Sequence, residues 1–275
     1  RLEAADGTEI VLRVRASIRD DALIRGFEGT DPQAEGNLNC PVSVTWAACS
    51  YAVRVVCDPD APPSAGAWRP VELRAPEGSL LNARPPAAVT AGNVETSGRV
   101  ADLVIDALGA FRPVPAQGQG TMNNFTLADD HFTYYETICG GQGACPDTNG
   151  PSAIHVAMSN TLNTPVEAVE TEFPLRVREL SVLRGSGGEG LHSGGDGIAR
   201  EIEALAPMHF TLISERRRLA PRGREGGEDG RRGRDALNGE SIPGKTEGDL
   251  RPGDRLRIET PGGGGWGRSG RRATG

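Results

Sequence analysis

Between Tyr134 and Pro174 the chain reads YYETICGGQGACPDTNGPSAIHVAMSNTLNTPVEAVETEFP, and here side chains suited to proton transfer and hydrogen bonding crowd together. Glu136 and His155 are the candidates for acid/base work or for positioning a water, because a carboxylate and an imidazole are the groups that enzymes most often use for this. Ser159, Asn160, Asn163, Glu167 and Glu170 follow His155 at close spacing. Upstream, QGQGTMNNFTL places Asn123 and Asn124 beside two glycines, where amide side chains can orient a carbonyl or an amide. Asn93, Glu95 and Thr96 stand just ahead of a helical stripe, and the backbone N–H groups of a helix N-terminus favour an anion or oxyanion. Together with Asn160 these are the candidate substrate-binding residues. No metal ligands are assigned. The same residue types also make turns and caps, and a single histidine followed by carboxylates is commonly structural.

These side chains need elements to hold them. Phe132, Tyr134, Glu136 and Ile138 alternate as on a strand that ends in Gly-Gly, so the strand delivers Glu136 to a loop-built site. Residues 10 to 18 alternate as well, Asp20-Asp21 supplies a turn, and Leu23 to Phe27 returns as a hairpin partner. Gly26 to Pro41 is a polar loop whose Asn37 and Asn39 most simply close turns. From Ser43 to Cys57, Trp46, Cys49, Val53 and Val56 recur at three and four, which predicts a helix. Val71 to Leu73 reads as a short strand. Thr96 or Ser97 caps a second helix with the stripe Val100, Leu103, Val104, Ala107 and Leu108, stopped at Gly109. After Pro174 the strand-like runs are Leu175 to Leu183, Ile198 to Leu205, Met208 to Ser214 and Arg255 to Glu259, with charges that mark a solvated sheet face. The fold class expected is α+β, with β-rich mixed sheets, a few helices and long Gly/Pro-rich loops.

Composition narrows the class of function. At 275 residues the chain can bury one large core or two modest ones. Lysine plus arginine number 30 against 37 aspartates and glutamates, and the resulting −7 argues against nonspecific nucleic-acid binding. No apolar run approaches a membrane span, and no signal-peptide series opens the chain. The five cysteines, Cys40, Cys49, Cys57, Cys139 and Cys145, lack CxxC spacing and fit reduced thiols, hence a cytoplasmic protein. From residue 221 onward 16 glycines and four prolines are expected to make loops around one or two short strands. The chain begins at Arg1 rather than Met and reads as a fragment or processed piece.

GESIPGKT at 239–246 matches the phosphate-loop pattern G-x-x-x-x-G-K-T in form. That mechanism needs a hydrophobic strand before the loop and a helix after it, and neither RRGRDALN nor EGDLRPGD supplies one, so nucleotide binding there is rejected. Arg216, Arg217 and Arg218, with Arg222, Arg224, Arg231, Arg232 and Arg234, are expected on a solvated, partner-facing loop.

Several strings, GFEGTDPQ with NCPVSVT, PEGSLLN, AGNVETSGRVAD, QGTMNN, YYETICGGQGA, HVAMSNTLNTPVEAVE, SERRRLAPRG and IETPGGGGWG, together resemble the hydantoinase B/oxoprolinase family. Its members include N-methylhydantoinase B subunits, the matching half of 5-oxoprolinase and subunits of acetone-type carboxylases. The resemblance implies a C-terminal half, with residues 1–220 forming most of it and 221–275 adding Gly/Arg-rich loops and a short terminal strand to the same domain. It implies ATP-dependent opening of a cyclic amide such as 5-oxoproline or a hydantoin. The ATP is bound by a hydantoinase A-like partner, which phosphorylates the amide oxygen, and a divalent metal is possible in the N-terminal half that is missing here. A chain without that half and partner is expected to be inactive. Cys139 stands where the family usually continues a glycine run, and Ala157 where many members carry a second histidine after the one matching His155. Two alternatives belong to other classes: a carboxylase subunit acting on a ketone and bicarbonate, and a noncatalytic assembly half that docks a partner through its arginines.

Overall fold

The computed structural model describes residues 1–19, 22–60, 62 and 64–269. The expected turn at Asp20-Asp21 lies outside the described residues. The chain divides into two compact units, Arg1–Val114 and Pro115–Gly275.

In the first unit β1 (Leu2–Glu3) and β2 (Glu9–Ile10) pair antiparallel, so the alternation from residue 10 to 18 is carried by two strands with a break between them. β3 (Arg15–Arg19) pairs antiparallel with β4 (Ala22–Gly26), which pairs parallel with β5 (Val71–Arg74). The long connection from β4 to β5 is what a parallel pair requires. It contains the loop at 26–41, where the fully buried Asn39 accepts from Ala34 N at 2.7 Å and donates to the carbonyls of Ala34, Gly36 and Ala88. The turn-closing reading of Asn39 is the observed one. α1 (Val42–Cys57) follows, burying Thr45, Ala48, Cys49, Ala52, Val53 and Val56.

α2 (Ser97–Leu108) packs against α1 and buries Val100, Ala101, Val104 and Leu108. Its start corrects the sequence reading. A π-helical turn, Gly92–Thr96, runs directly into it, and Thr96 and Ser97 make no capping bond. Thr96 Oγ1 instead donates to Leu38 O at 2.6 Å. Asn93, Glu95 and Thr96 therefore lie within the first two turns of a continuous helical segment that begins at residue 90, and not ahead of it. Gly92 explains the close packing of this segment, since a Cβ there would stand 2.1 Å from the carbonyl oxygen of Asn39.

In the second unit β6 (Asn124–Ala128) and β7 (Thr133–Glu136) form a hairpin, followed by α3 (Val166–Glu172). Then come β8 (Leu175–Val182), β9 (Ile198–Ala204), β10 (Met208–Ile213), β11 (Arg234–Leu237), β12 (Glu240–Ile242), β13 (Lys245–Leu250) and β14 (Arg255–Glu259). The strands make two sheets, ordered β13-β10-β6-β7 and β12-β11-β14-β9-β8. Phe125, Leu127, Tyr134, Phe210, Leu212 and Leu250 from the first meet Leu175, Ile198, Ile202, Leu256 and Ile258 from the second in one core, closed by Val169 of α3. At about 25 cal/mol per Å² of apolar area, this burial is the main force holding the unit. The fold is α+β, as the sequence indicated. The outer face of the second sheet is solvated and laced by Arg257 against Glu179, Glu201 and Glu259 and by Arg255 against Glu203.

The stretch after 221 carries four strands, where one or two had been expected. Its glycines also serve a purpose beyond looping. Pro261 to Trp266 threads among glycine-rich segments, exchanging backbone hydrogen bonds with Gln117, Gly141, Ala144, Gly188, His192, Gly195 and Glu228. A Cβ on Gly263 would stand 2.0 Å from Gln142 O, and one on Gly262 2.0 Å from Ser186 O. Only glycine permits backbones to approach this closely.

Candidate functional site

Glu136 is the last residue of β7 and points inward with Tyr134, against the core. Its Oε2 lies 2.5 Å from Arg200 Nη1 as an ionic contact and accepts from Tyr134 Oη at 2.7 Å. Its Oε1 accepts from Thr164 N at 2.6 Å. Arg200 Nη2 donates to Tyr134 Oη at 3.1 Å, closing a Glu–Tyr–Arg triangle, and burial pushes the tyrosine phenol up despite the opposing arginine. With both oxygens engaged and both charges inside, Glu136 is built as the partner of a buried guanidinium. That geometry gives a structural reason for its presence that the sequence did not reveal. Arg200 was missed, although a charged residue at an inward position among Ile198, Ile202 and Ala204 is a signal of a buried counter-charge.

His155 is differently placed. Gly140 and Ile154 pair through two backbone hydrogen bonds of 3.0 Å, which sets the 154–159 segment beside the end of the β7 run. Ala153 and Ala157 both adopt positive φ (56° and 52°) and so bracket the histidine with backbone that L residues rarely take up. His155 Nδ1 lies 2.6 Å from Ser159 Oγ, while its Nε2 is buried with no hydrogen-bond partner among the described residues. Burial lowers the imidazole pKa from 6.5, and the nearby charge of Glu136 opposes that shift. A neutral ring results at physiological pH, with one nitrogen oriented by a serine and the other uncommitted. Such a ring can take or give a proton.

The amides divide. Asn123, fully buried at φ 46°, accepts from Arg217 Nη1 at 2.7 Å and donates to Gln119 Oε1 at 2.9 Å, so its polar atoms serve the fold. Asn124 accepts from Tyr135 Oη at 2.8 Å, but its Nδ2 is buried without a partner among the described residues. Asn160 is exposed, and Asn163 donates to Thr137 O at 2.7 Å. Asn93, Glu95 and Thr96 belong to the first unit, Glu136, His155, Asn123, Asn124 and Asn160 to the second. Glu167 and Glu170 lie on α3, a helix the sequence reading passed over, and Glu170 accepts from Val177 N.

The arginine run also needs correction. Arg216 is 1% exposed and bonded to Gln117, Gln119 and Ala220, and Arg217 pairs with the buried Asp235 at 2.5 Å. Arg218, Arg222, Arg231, Arg232 and Arg234 are the exposed ones. GESIPGKT forms the β11–β12 turn, β12 and the start of β13, with Lys245 Nζ held by the buried Glu215 at 2.7 Å. Those residues do not fit a nucleotide. Among the described residues no three of His, Cys, Asp and Glu gather as a possible metal site, and no helix is long and apolar enough to cross a membrane. All five cysteines are free thiols, with Cys40 and Cys49 pushed up to about 11 by burial.

Fold and site thus define an α+β protein with a glycine-threaded β-sandwich unit in which His155 keeps one ring nitrogen without a hydrogen-bond partner among the described residues. The family model for hydantoinase B/oxoprolinase matches residues 2–269. The chain is 42% identical over 267 residues to 5-oxoprolinase 1 of Arabidopsis thaliana, covering 95% of this chain and 21% of that protein. It superposes on the ATP-dependent caprolactamase of Pseudomonas jessenii with a TM-score of 0.85 at 22% identity, over 97% of this chain and 50% of that one. Against the nucleotide-free acetone carboxylase structure the TM-score is 0.74 at 18% identity, over 94% and 42%. The chain belongs to the hydantoinase B/oxoprolinase family, and it spans about a fifth of the length of the plant oxoprolinase it matches.

Proposed function

We propose that this chain is the C-terminal half of a hydantoinase B-type subunit of an ATP-dependent cyclic-amide hydrolase that opens 5-oxoproline or a hydantoin in the cytoplasm. The observation that carries the reading is the 42% identity to a 5-oxoprolinase along 95% of the chain. The likeness to acetone carboxylase, at 18% identity, speaks to fold alone. ATP and the phosphorylation of the amide belong in this proposal to a hydantoinase A-like partner, and any divalent metal to the N-terminal half. The chain's own contribution is to shelter the reacting amide and move a proton.

His155 is the residue for that step. With its Nδ1–H donated to Ser159, Nε2 presents a lone pair that takes a proton from the attacking water as the C–O bond forms. The same proton then passes to the nitrogen of the substrate ring as the C–N bond breaks, which leaves an acyl phosphate that a second water hydrolyses to the carboxylate and inorganic phosphate. Asn124 Nδ2 would supply a donor toward a carbonyl oxygen, and Asn160, which is exposed, would hold the substrate from the solvent side. Glu136 acts here as a positioning residue through Arg200 and Tyr134. The test uses the full-length protein with its ATP-binding partner and follows 5-oxoproline-dependent release of glutamate. His155→Ala is expected to lower turnover about 100-fold or more with the melting temperature held, the scale of a lost general base. Consumption of a ketone and bicarbonate with no cyclic amide opened would overturn the reading in favour of a carboxylase.

A further inference from the structure

The first unit presents a cavity of about 470 Å³ on the three-stranded sheet, lined by Arg15, Ser17, Arg19, Ile24, Gly26, Glu28 and Arg74. The register explains its shape. Arg15 lies opposite Gly26 on one side, and Arg74 opposite the same glycine on the other. With strands about 4.8 Å apart, the two arginine Cα atoms stand roughly 10 Å from each other across a position that has no side chain. Ser17 faces Ile24 in the next row, and Arg19 lies one step of the alternation further along β3. Three guanidiniums thus rim a hollow floored by a glycine, on a chain whose net charge is −7.

Glu28 brings a carboxylate to the floor of the hollow without pairing to any of the three arginines among the described residues. Its Oε2 reaches within 2.2 Å of the place where a Cβ on Gly26 would stand, so a carboxylate already covers the glycine gap. Arg74 is held at the rim by Glu72 at 2.9 Å, both largely exposed, so this pair is weak and exchangeable. Arg15 and Arg19 make no ion pair among the described residues.

We propose that this three-arginine cup is an oxyanion site that takes the phosphate group of a small molecule, and that Glu28 is the intramolecular placeholder which the phosphate displaces. Guanidinium donors from three points and the Ser17 hydroxyl outnumber the two oxygens of a carboxylate and suit the three or four of a phosphate, which carries close to two negative charges at pH 7. The proposal is independent of the cyclic-amide reading, since every lining residue lies in the first unit.

The test is titration of the full chain with inorganic phosphate in a low-ionic-strength chloride buffer, followed by calorimetry and by ³¹P line broadening. Saturable binding is expected, weakened about tenfold or more in Arg15→Ala/Arg74→Ala and tightened by roughly threefold or more in Glu28→Gln, with affinity falling as salt is added. The exposed positions leave the melting temperature as a control that each variant is folded. Phosphate binding equal in the double-arginine variant and the wild type overturns the site. So does the absence of saturable binding in both the wild type and Glu28→Gln. Acetate binding as tightly as phosphate overturns the phosphate assignment.

Discussion

Replacing Glu136 by glutamine separates a structural carboxylate from a catalytic one. The substitution keeps the shape and leaves the Tyr134 and Thr164 contacts something to bond, but it removes the one carboxylate paired with Arg200 Nη1 among the described residues, and Arg200 is 1% exposed. Breaking a buried ion pair from one side costs about 3–5 kcal/mol, because the remaining charge stays buried and uncompensated. At roughly 2–4 °C per kcal/mol for a chain of this size, the melting temperature should fall by on the order of 10 °C. The companion variant Glu136→Gln/Arg200→Met removes both charges and should recover a large part of that loss, since a matched apolar replacement is often neutral. Thermal and urea unfolding of the two variants beside the wild type read this directly. A single variant that melts within about 3 °C of the wild type, roughly 1 kcal/mol, would refute the structural assignment and return Glu136 to the acid/base candidates.

Three further outcomes follow from the geometry. His155 is neutral when folded, with its pKa lowered by burial, so below its unfolded value near 6.5 the unfolded chain binds more protons and stability falls as pH drops. Unfolding free energies at pH 7.5 and 5.5 should show that loss, and His155→Gln should reduce it. Gly263→Ala places a methyl 2.0 Å from Gln142 O, and soluble, cooperatively melting protein should be lost, as judged by expression and near-UV circular dichroism. Lys245→Met removes the ion pair that Lys245 makes with the buried Glu215 and should lower stability in urea unfolding by about 1–3 kcal/mol, while a role in nucleotide binding would instead show as lost ATP affinity at unchanged stability.

Much of the framework was legible because it rests on periodicity. α1, α2, β4, β5 and the strands β8, β9, β10 and β14 all follow apolar spacing, which reports burial directly. β11, β12 and β13 escaped notice because Arg234–Leu237, Glu240–Ile242 and Lys245–Leu250 are short and charged, and their strand state comes from neighbours in the sheet. α3 escaped although Pro165 before it and Val166 and Val169 three apart were visible. At the site, His155 and Ser159 stood out by their close spacing, but their hydrogen bond arises in a non-helical segment where spacing implies no pair. What the sequence hid was commitment. Whether Asn123 or Glu136 is free for a ligand depends on Arg217 and Arg200, which lie 94 and 64 positions away in the chain and become neighbours only in the fold.

The glycine-threaded segment also sets an order of events. Pro261 to Trp266 bonds to segments near residues 117, 141–144, 188–195 and 228, all synthesised before it. Sandwich folds with such long-range pairings form slowly. Here the pin that joins the layers is among the last parts of the unit to leave the ribosome, and at roughly 5–20 residues per second the earlier glycine runs wait many seconds for it. During that interval the second unit has strands but no keystone. A chain cut just before Pro261 should therefore engage chaperones or aggregate, although it would lack only 15 of the 275 residues.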